Sequence, residues 1–269
     1  SPAQAQGGKP TRPDLPFQLS EDVWRTIEAS ECYRQTLETK PTQVKYRETH
    51  PVEKTVLIFG FPSDLTTYYT KQFRMLTPRI IEERDNWLTP GDEPKDITSY
   101  SYSVCGGFLP LGSGVKPQNI RLKRVNAING SLFPLRVGAE MELDYEMTGD
   151  KQDYRDFRKR VRLRVTEKIA AKSLNPSLSG NAWHIQSTGN TVTNGSISTS
   201  TQDQDDYYYF EDRGLSSDKI GIEDYQHKKI IIPNGQSYKF VIPGSTSAPI
   251  GLWTIEYTFE GYEIGELKP

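Results

Sequence analysis

Three histidines, His50, His184 and His227, and two cysteines, Cys32 and Cys105, are the side chains of this 269-residue chain best suited to metal or nucleophilic chemistry. Zinc sites draw such ligands from short, fixed spacings. No HExxH, HxH or CxxC occurs. A Ser-His-Asp triad can assemble from distant positions, but the G-x-S-x-G turn that presents a nucleophilic serine is absent. GGFLPLGSG (106–114) has the glycines of a phosphate loop without its Lys-Ser/Thr, and reads as a turn region next to Cys105. Asp203, Asp205 and Asp206 could offer oxygens to Ca²⁺, yet the stretch lacks the Gly and distal Glu of an EF-hand. They read as solvated turn acids. Glu82, Glu83 and Asp85 fall in the first turns of a predicted helix, where acid favours the dipole. Whether any two carboxylates stand at a glycosidase separation is a three-dimensional question. The expectation is no catalytic constellation, no metal and no cofactor. A hydrolase using Asp or Glu carboxylates is kept as an alternative.

The densest charge lies in RKRVRLRV (158–165). Alone it looks like an arm for nucleic acid. GAEMELDYEMTG (138–149) supplies its complement. Both stretches alternate, as half-buried strands do. Folded as a hairpin, Glu146 faces Arg160, Asp144 faces Arg162 and Glu142 faces Arg164. On the other side Tyr145 faces Val161, Leu143 faces Leu163 and Met141 faces Val165. One register satisfies both faces, and a one-residue slip would set apolar chains against charged ones. The ion ladder sets register, while the apolar face Met141, Leu143, Tyr145, Val161, Leu163, Val165 is the candidate ligand face. With net charge −2 and acids beside the arginines, the field that phosphate binding needs is absent. No nucleic acid partner is expected.

Elements around this hairpin follow from local signals. Residues 1–18, with four Pro, read as a flexible lead-in. Ser20 before Glu21-Asp22 caps a helix over about 21–37, with Val23, Trp24 and Ile27 on one side. TVLIFGF (55–61) reads as a buried strand. Thr77-Pro78 predicts a cap and first helical residue, giving a second helix with Ile80, Ile81, Arg84 and Trp87-Leu88 on one side, stopped by Pro90-Gly91. From about 98 onward strands dominate. Three Asn-Gly pairs (129–130, 194–195, 234–235) predict hairpin turns. The turn in TVTNGSIS would set Val192 opposite Ile197. Helices at one end and about ten to twelve strands give a mainly β or α+β fold with a large antiparallel sheet or β-sandwich. The division is 19–97 mixed and 98–269 antiparallel β, or one continuous domain over 19–269. In YYYF (207–210) alternate rings point to opposite faces. Tyr207 and Tyr209 are the candidate aromatic surface, able to stack on sugars. Trp183 and Trp253 read as core.

The bulk numbers place the chain among wet-surfaced globular proteins: 35 % hydrophobic residues, more Tyr (15) than Phe (10), and 21 Gly with 18 Pro. No apolar run reaches the ~18 residues of a membrane span. Ala3-Gln4-Ala5 has the small-x-small form of a signal-peptidase site. Cys32 and Cys105 fit either one disulfide in an oxidising compartment or two separate thiols. A periplasmic or secreted bacterial location follows as the expectation. FPLRVG, a strand, RVRLRVTEKI, GNAWHIQ and DDYYYFEDRG run in that order over about residues 133–214. This layout resembles exported bacterial β-sheet proteins of the lipoprotein-carrier type, LolA/LppX-like, in which a curved sheet holds acyl chains. The resemblance implies a non-catalytic envelope protein binding a partner protein or an apolar, lipid-like ligand. It carries over no site residue, and without a lipobox cysteine near the start a lipid anchor is not expected. A carbohydrate or cell-wall binding module is the second alternative.

Overall fold

The computed structural model describes residues 12–35, 42–50, 65–88, 99–115, 118–150, 156–194, 199–224, 226, 229–233, 235–242 and 253–264. Ser20 starts α1 (Glu21–Ala29), its Oγ accepting the Val23 N–H at 3.3 Å. Ser30 is extended and interrupts the helix, and the single turn α2 (Glu31–Arg34) follows. Its hydroxyl donates to the Ile27 carbonyl at 2.6 Å, the local competition that ends helices at serine. The expected helix over 21–37 is therefore two shorter pieces. Residues 12–18 are not a loose lead-in. Arg12 pairs with Glu21 and Glu28, both at 2.6 Å, and Phe17 is buried against Tyr102.

Antiparallel strands then follow almost without interruption. They are β1 (Thr42–His50), β2 (Leu65–Thr77), β3 (Ile80–Leu88), β4 (Ser99–Val104), β5 (Leu109–Val115) and β6 (Gln118–Gly130). Next come β7 (Glu140–Gly149), β8 (Phe157–Ala170), β9 (Asn181–Thr193), β10 (Thr199–Phe210) and β11 (Leu215–Ser216). After the short α3 (Ser217–Ile220) lie β12 (Ile222–Glu223), β13 (Lys229–Ile230), β14 (Ser237–Ile242) and β15 (Trp253–Ile264). Thirteen of these form one open sheet, ordered β11 back to β1 in chain sequence and then β15 and β14. β12 and β13 pair separately. The fold is mainly β, as the sequence predicts. The strands of 42–88 belong to the same sheet as the rest, because β3 pairs with β4 and β1 with β15.

The helix expected after Thr77-Pro78 is strand β3 instead. Thr77-Pro78 makes a tight turn between β2 and β3, in which the Thr77 hydroxyl accepts the Arg79 N–H at 3.3 Å. Proline fixes φ equally well for a turn and for a first helical residue. Two expected Asn-Gly hairpins also differ. Asn129-Gly130 ends β6 opposite Glu142 and Met141, with Gly130 at φ 71°. Val192 pairs with Ser200 rather than Ile197, so a longer connection replaces the two-residue turn. Asn234, TVLIFGF and the Trp253 side chain lie outside the described residues.

The sheet is strongly rolled. β5 and β10 are five strand steps apart, about 24 Å on a flat sheet. Yet the ring of Phe108, just ahead of β5, meets Tyr207 edge-on with centroids 6.1 Å apart and lies tilted against Tyr209 at 6.3 Å. Twist accumulating over so many strands forces such curling. The inner face holds the first core, where Val23, Trp24 and Ile27 of α1 join the apolar faces of β6–β9. A bond between Cys32 and Cys105 ties α2 to the turn before β5. The second core forms where residues 215–224 and 229–232 pack against β1–β3. It contains Tyr46, Phe73, Phe210, Ile220 and Phe259, and the Tyr46 hydroxyl donates to the Ile220 carbonyl.

Candidate functional site

The β7–β8 hairpin is present, two residues out of the expected register. Glu146 lies opposite Arg158, Asp144 opposite Arg160, Glu142 opposite Arg162 and Glu140 opposite Arg164. Met141 pairs with Leu163, Leu143 with Val161 and Tyr145 with Lys159. A slip of two keeps every side chain on its own face, so facial pattern alone cannot exclude it. Ion pairs run along and across the outer face. Asp144 binds Arg158 at 2.6 Å and Arg160 at 3.1 Å, and Arg162 reaches Glu140 at 2.6 Å and Glu142 at 3.6 Å. Arg164 reaches Glu140 at 3.7 Å. Glu146 is answered from β6, by Arg124 at 3.8 Å. The hydrogen bond from Arg158 holds the Asp144 carboxyl below its ordinary range.

On the inner face all six candidate residues are buried. They divide by role. Met141, Leu143 and Val165 are packed into the first core. Tyr145, Val161 and Leu163 belong to the same cluster and also line a cavity of about 240 Å³. Met147, Lys159, Ser187 and Tyr207 continue that wall. Across from it stand Ser101 and Ser103 of β4 and Phe108 and Pro110 at the start of β5, with Asp218 and Lys219 of α3 also contributing. The space exists because the roll of the sheet brings β4–β5 to face β7–β10. Burial raises the phenols of Tyr145 and Tyr207, with the Asp218 charge adding to it, so both stay neutral donors. The candidate aromatic surface is thus internal: Tyr209 is core, packed on Phe133, and Tyr207 faces the cavity.

Beside Lys219 lies a group of charges that the sequence reading assigned to a helix. Glu83 and Asp85 project from one face of β3. Lys219 Nζ stands 3.2 Å from the Glu83 carboxylate, which also accepts the Ser101 hydroxyl at 3.2 Å. Lys71 donates to the carbonyls of Lys219 and Gly221, at 3.3 and 3.5 Å. Burial alone would raise Glu83, but Lys219 and Lys71 outweigh it and hold the carboxyl low. Burial also works against the Lys219 ammonium, and Glu83 and Asp218 more than restore it. Asp85 is pushed up to about 7, by burial first and then by the Glu83 charge. On the opposite face of β3, buried Glu82 accepts from Arg74 and Arg84, each at 2.6 Å. The signal was present in IIEERDNWL (80–88): read with period two, it places acids on both faces of a strand between apolar residues.

The remaining candidates fall elsewhere. Asp203, Asp205 and Asp206 are within β10 rather than in a turn before it. His184 links Thr166 and Asp206, with Nδ1 2.9 Å from the Thr166 hydroxyl and Nε2 2.8 Å from the Asp206 carboxylate. This chain has the connectivity of a triad, but it stands on the strand face opposite Trp183 and Ile185, away from the cavity. The same hydroxyl also lies 3.3 Å from the His184 carbonyl. It reads as a cross-strand strut at the bulge in β8. Among the described residues, no group of three or more His, Cys, Asp or Glu is placed to hold a metal ion. His227 and the His50 side chain lie outside the described residues. No family model matches this chain, and neither does a curated protein or a solved structure.

Proposed function

We propose that this is an exported, non-catalytic binding protein that holds a small, partly apolar ligand on the inner face of its rolled sheet. The cavity bounded by Tyr145, Val161 and Leu163 is the observation that carries this. It opens on the apolar face of the charged hairpin, and Ser101, Ser103 and Ser187 are among its lining residues. Its size sets the ligand. At roughly 30 Å³ per water, the space corresponds to about eight waters, below the range of drug-sized pockets. One short chain or a single ring fits that volume, rather than the paired acyl chains of a lipoprotein. The Cys32–Cys105 bond suits an oxidising compartment.

Calorimetric titration with straight-chain alcohols from hexanol to decanol tests this. Saturable binding is expected in the native protein. Val161→Phe, which fills the space, should abolish it while the far-ultraviolet spectrum is unchanged. No binding across the series, or binding indifferent to both Val161→Phe and Leu163→Phe, would overturn the proposal.

A further inference from the structure

Two carboxylates of β3 meet a segment that comes from the β11 edge of the sheet. Residues 215–224 follow β10 and pack against β1–β3, forming a crossing segment. Ile220 is its apolar anchor in the second core. Polar contacts hold the backbone around that anchor. The Tyr46 hydroxyl donates to the Ile220 carbonyl, and Lys71 donates to the carbonyls of Lys219 and Gly221. Lys219 Nζ meets Glu83 at 3.2 Å. Asp85 stands two residues from Glu83 on the same face of β3, opposite Lys71 of β2 and Ser99 of β4. It is half-buried, and its Oδ1 has no contact with solvent. The Tyr69 phenol hydrogen-bonds it, and among the described residues the charges that reach it are those of Glu83, Lys71 and Lys219. Asp218 acts in turn on Glu83 and Lys219.

Neighbouring carboxylates in a buried site repel each other when both are ionised, and burial penalises each charge. Lys219 is engaged by Glu83, and Lys71 donates to carbonyls. Asp85 accordingly keeps its proton up to about pH 7, through burial first and the Glu83 charge second. We propose that the crossing segment is a proton-controlled strap, seated on β2–β3 while Asp85 is neutral and lifting more readily once Asp85 ionises. Lifting lets water reach the pair and removes the penalty. A hydrated Asp releases its proton near 3.9. The seated state therefore holds the extra proton between about pH 4 and 7, and its advantage falls as pH rises through that window. The device goes beyond ligand binding and stands whether or not the cavity takes a ligand. Asp218 and Lys219 also belong to the cavity wall, so lifting the strap opens that wall.

Hydrogen exchange of the full chain, followed by mass spectrometry, reads the strap directly. After correction for intrinsic rates, peptides from 215–224 should be less protected than those of β7 and β8. Their protection should also be about tenfold lower at pH 8 than at pH 5. Linkage over the two pH units from 5 to 7 would give about 100-fold, which the attraction of Lys71 and the partial exposure of Asp85 reduce. Asp85→Asn should hold the strap at its pH 5 protection at both values, and Asp85→Ser should do the same by a smaller side chain. Strap peptides as protected as β7 and β8 would show that the segment opens only with the whole fold and would overturn the proposal. Equal protection at pH 5 and pH 8 in the parent, or a pH response that survives both substitutions, would overturn it too. Octanol binding, present or absent, bears on the cavity alone.

Discussion

Lys219→Met should expose how the crossing segment is held to the sheet. At 3.2 Å, two unit charges attract by about 5 kcal/mol at an effective dielectric near 20. Side-chain exposure is 15 % for Lys219 and 10 % for Glu83, so each ion has lost much of its hydration, at a cost of several kcal/mol apiece that falls on the single variants and cancels in the coupling between them. A coupling of about 3 kcal/mol is expected, within the range measured for close charge pairs. Removing Lys219 strands Glu83 with Ser101 and the more distant Lys71, and is expected to cost about 3 kcal/mol. Glu83→Gln keeps an acceptor for Lys219 and should cost about 2 kcal/mol. The double variant should then lose about 2 kcal/mol, well short of the sum of the singles. Urea unfolding at pH 7.5, followed by tryptophan fluorescence and circular dichroism, reads all four proteins. Single losses that simply add would show that the pair contributes nothing as a pair, and that Lys219 acts through packing alone.

Two further outcomes follow from the same description. Cys32 and Cys105 are 73 residues apart, so Cys32→Ala/Cys105→Ala should lower stability by about 4 kcal/mol in the chain-entropy account; a urea midpoint unmoved by the double change would contradict it. Asp85 keeps its proton up to about pH 7 when folded and loses it near 3.9 when unfolded. The folded state therefore binds the extra proton between those values, and this group's contribution falls as pH rises from about 4 to 7. About three pKa units correspond to roughly 4 kcal/mol, which partial exposure and the Glu83 neighbour reduce to about 2. Asp85→Asn should thus be neutral near pH 4 and raise the thermal midpoint at pH 8, and a variant that melts like the parent at both values would refute the assignment.

The hairpin of β7 and β8 was legible because both strands alternate and their charges have opposite sign. Its register was not, since parity distinguishes faces but not a shift of two. Ser20 with Glu21-Asp22 marked α1 by local chemistry. Thr77-Pro78 misled for the same local reason, because cap and turn share their first residues and only the pairing of Ile81 with Met75 decides between them. The buried charges of Glu82, Glu83 and Asp85 were lost with that helix. The inner cavity was half legible. Tyr145, Val161 and Leu163 were found from alternation, but Ser101, Phe108 and Lys219 reach them only through the roll of the sheet, a property of many strands together.

The pairing of β15 with β1 joins Thr42 to Ile264 and spans most of the chain. During synthesis β1 can pair with β2 early, but its other edge stays bare until β15 has left the ribosome. Folding is thus expected to finish late and slowly, as for other topologies dominated by distant contacts. Through that interval the edge carrying Lys45, Arg47 and Glu48 is the stretch most open to pairing with another chain. Charged side chains are what discourage such edge-to-edge growth. Loss of β15 would make that brief exposure permanent.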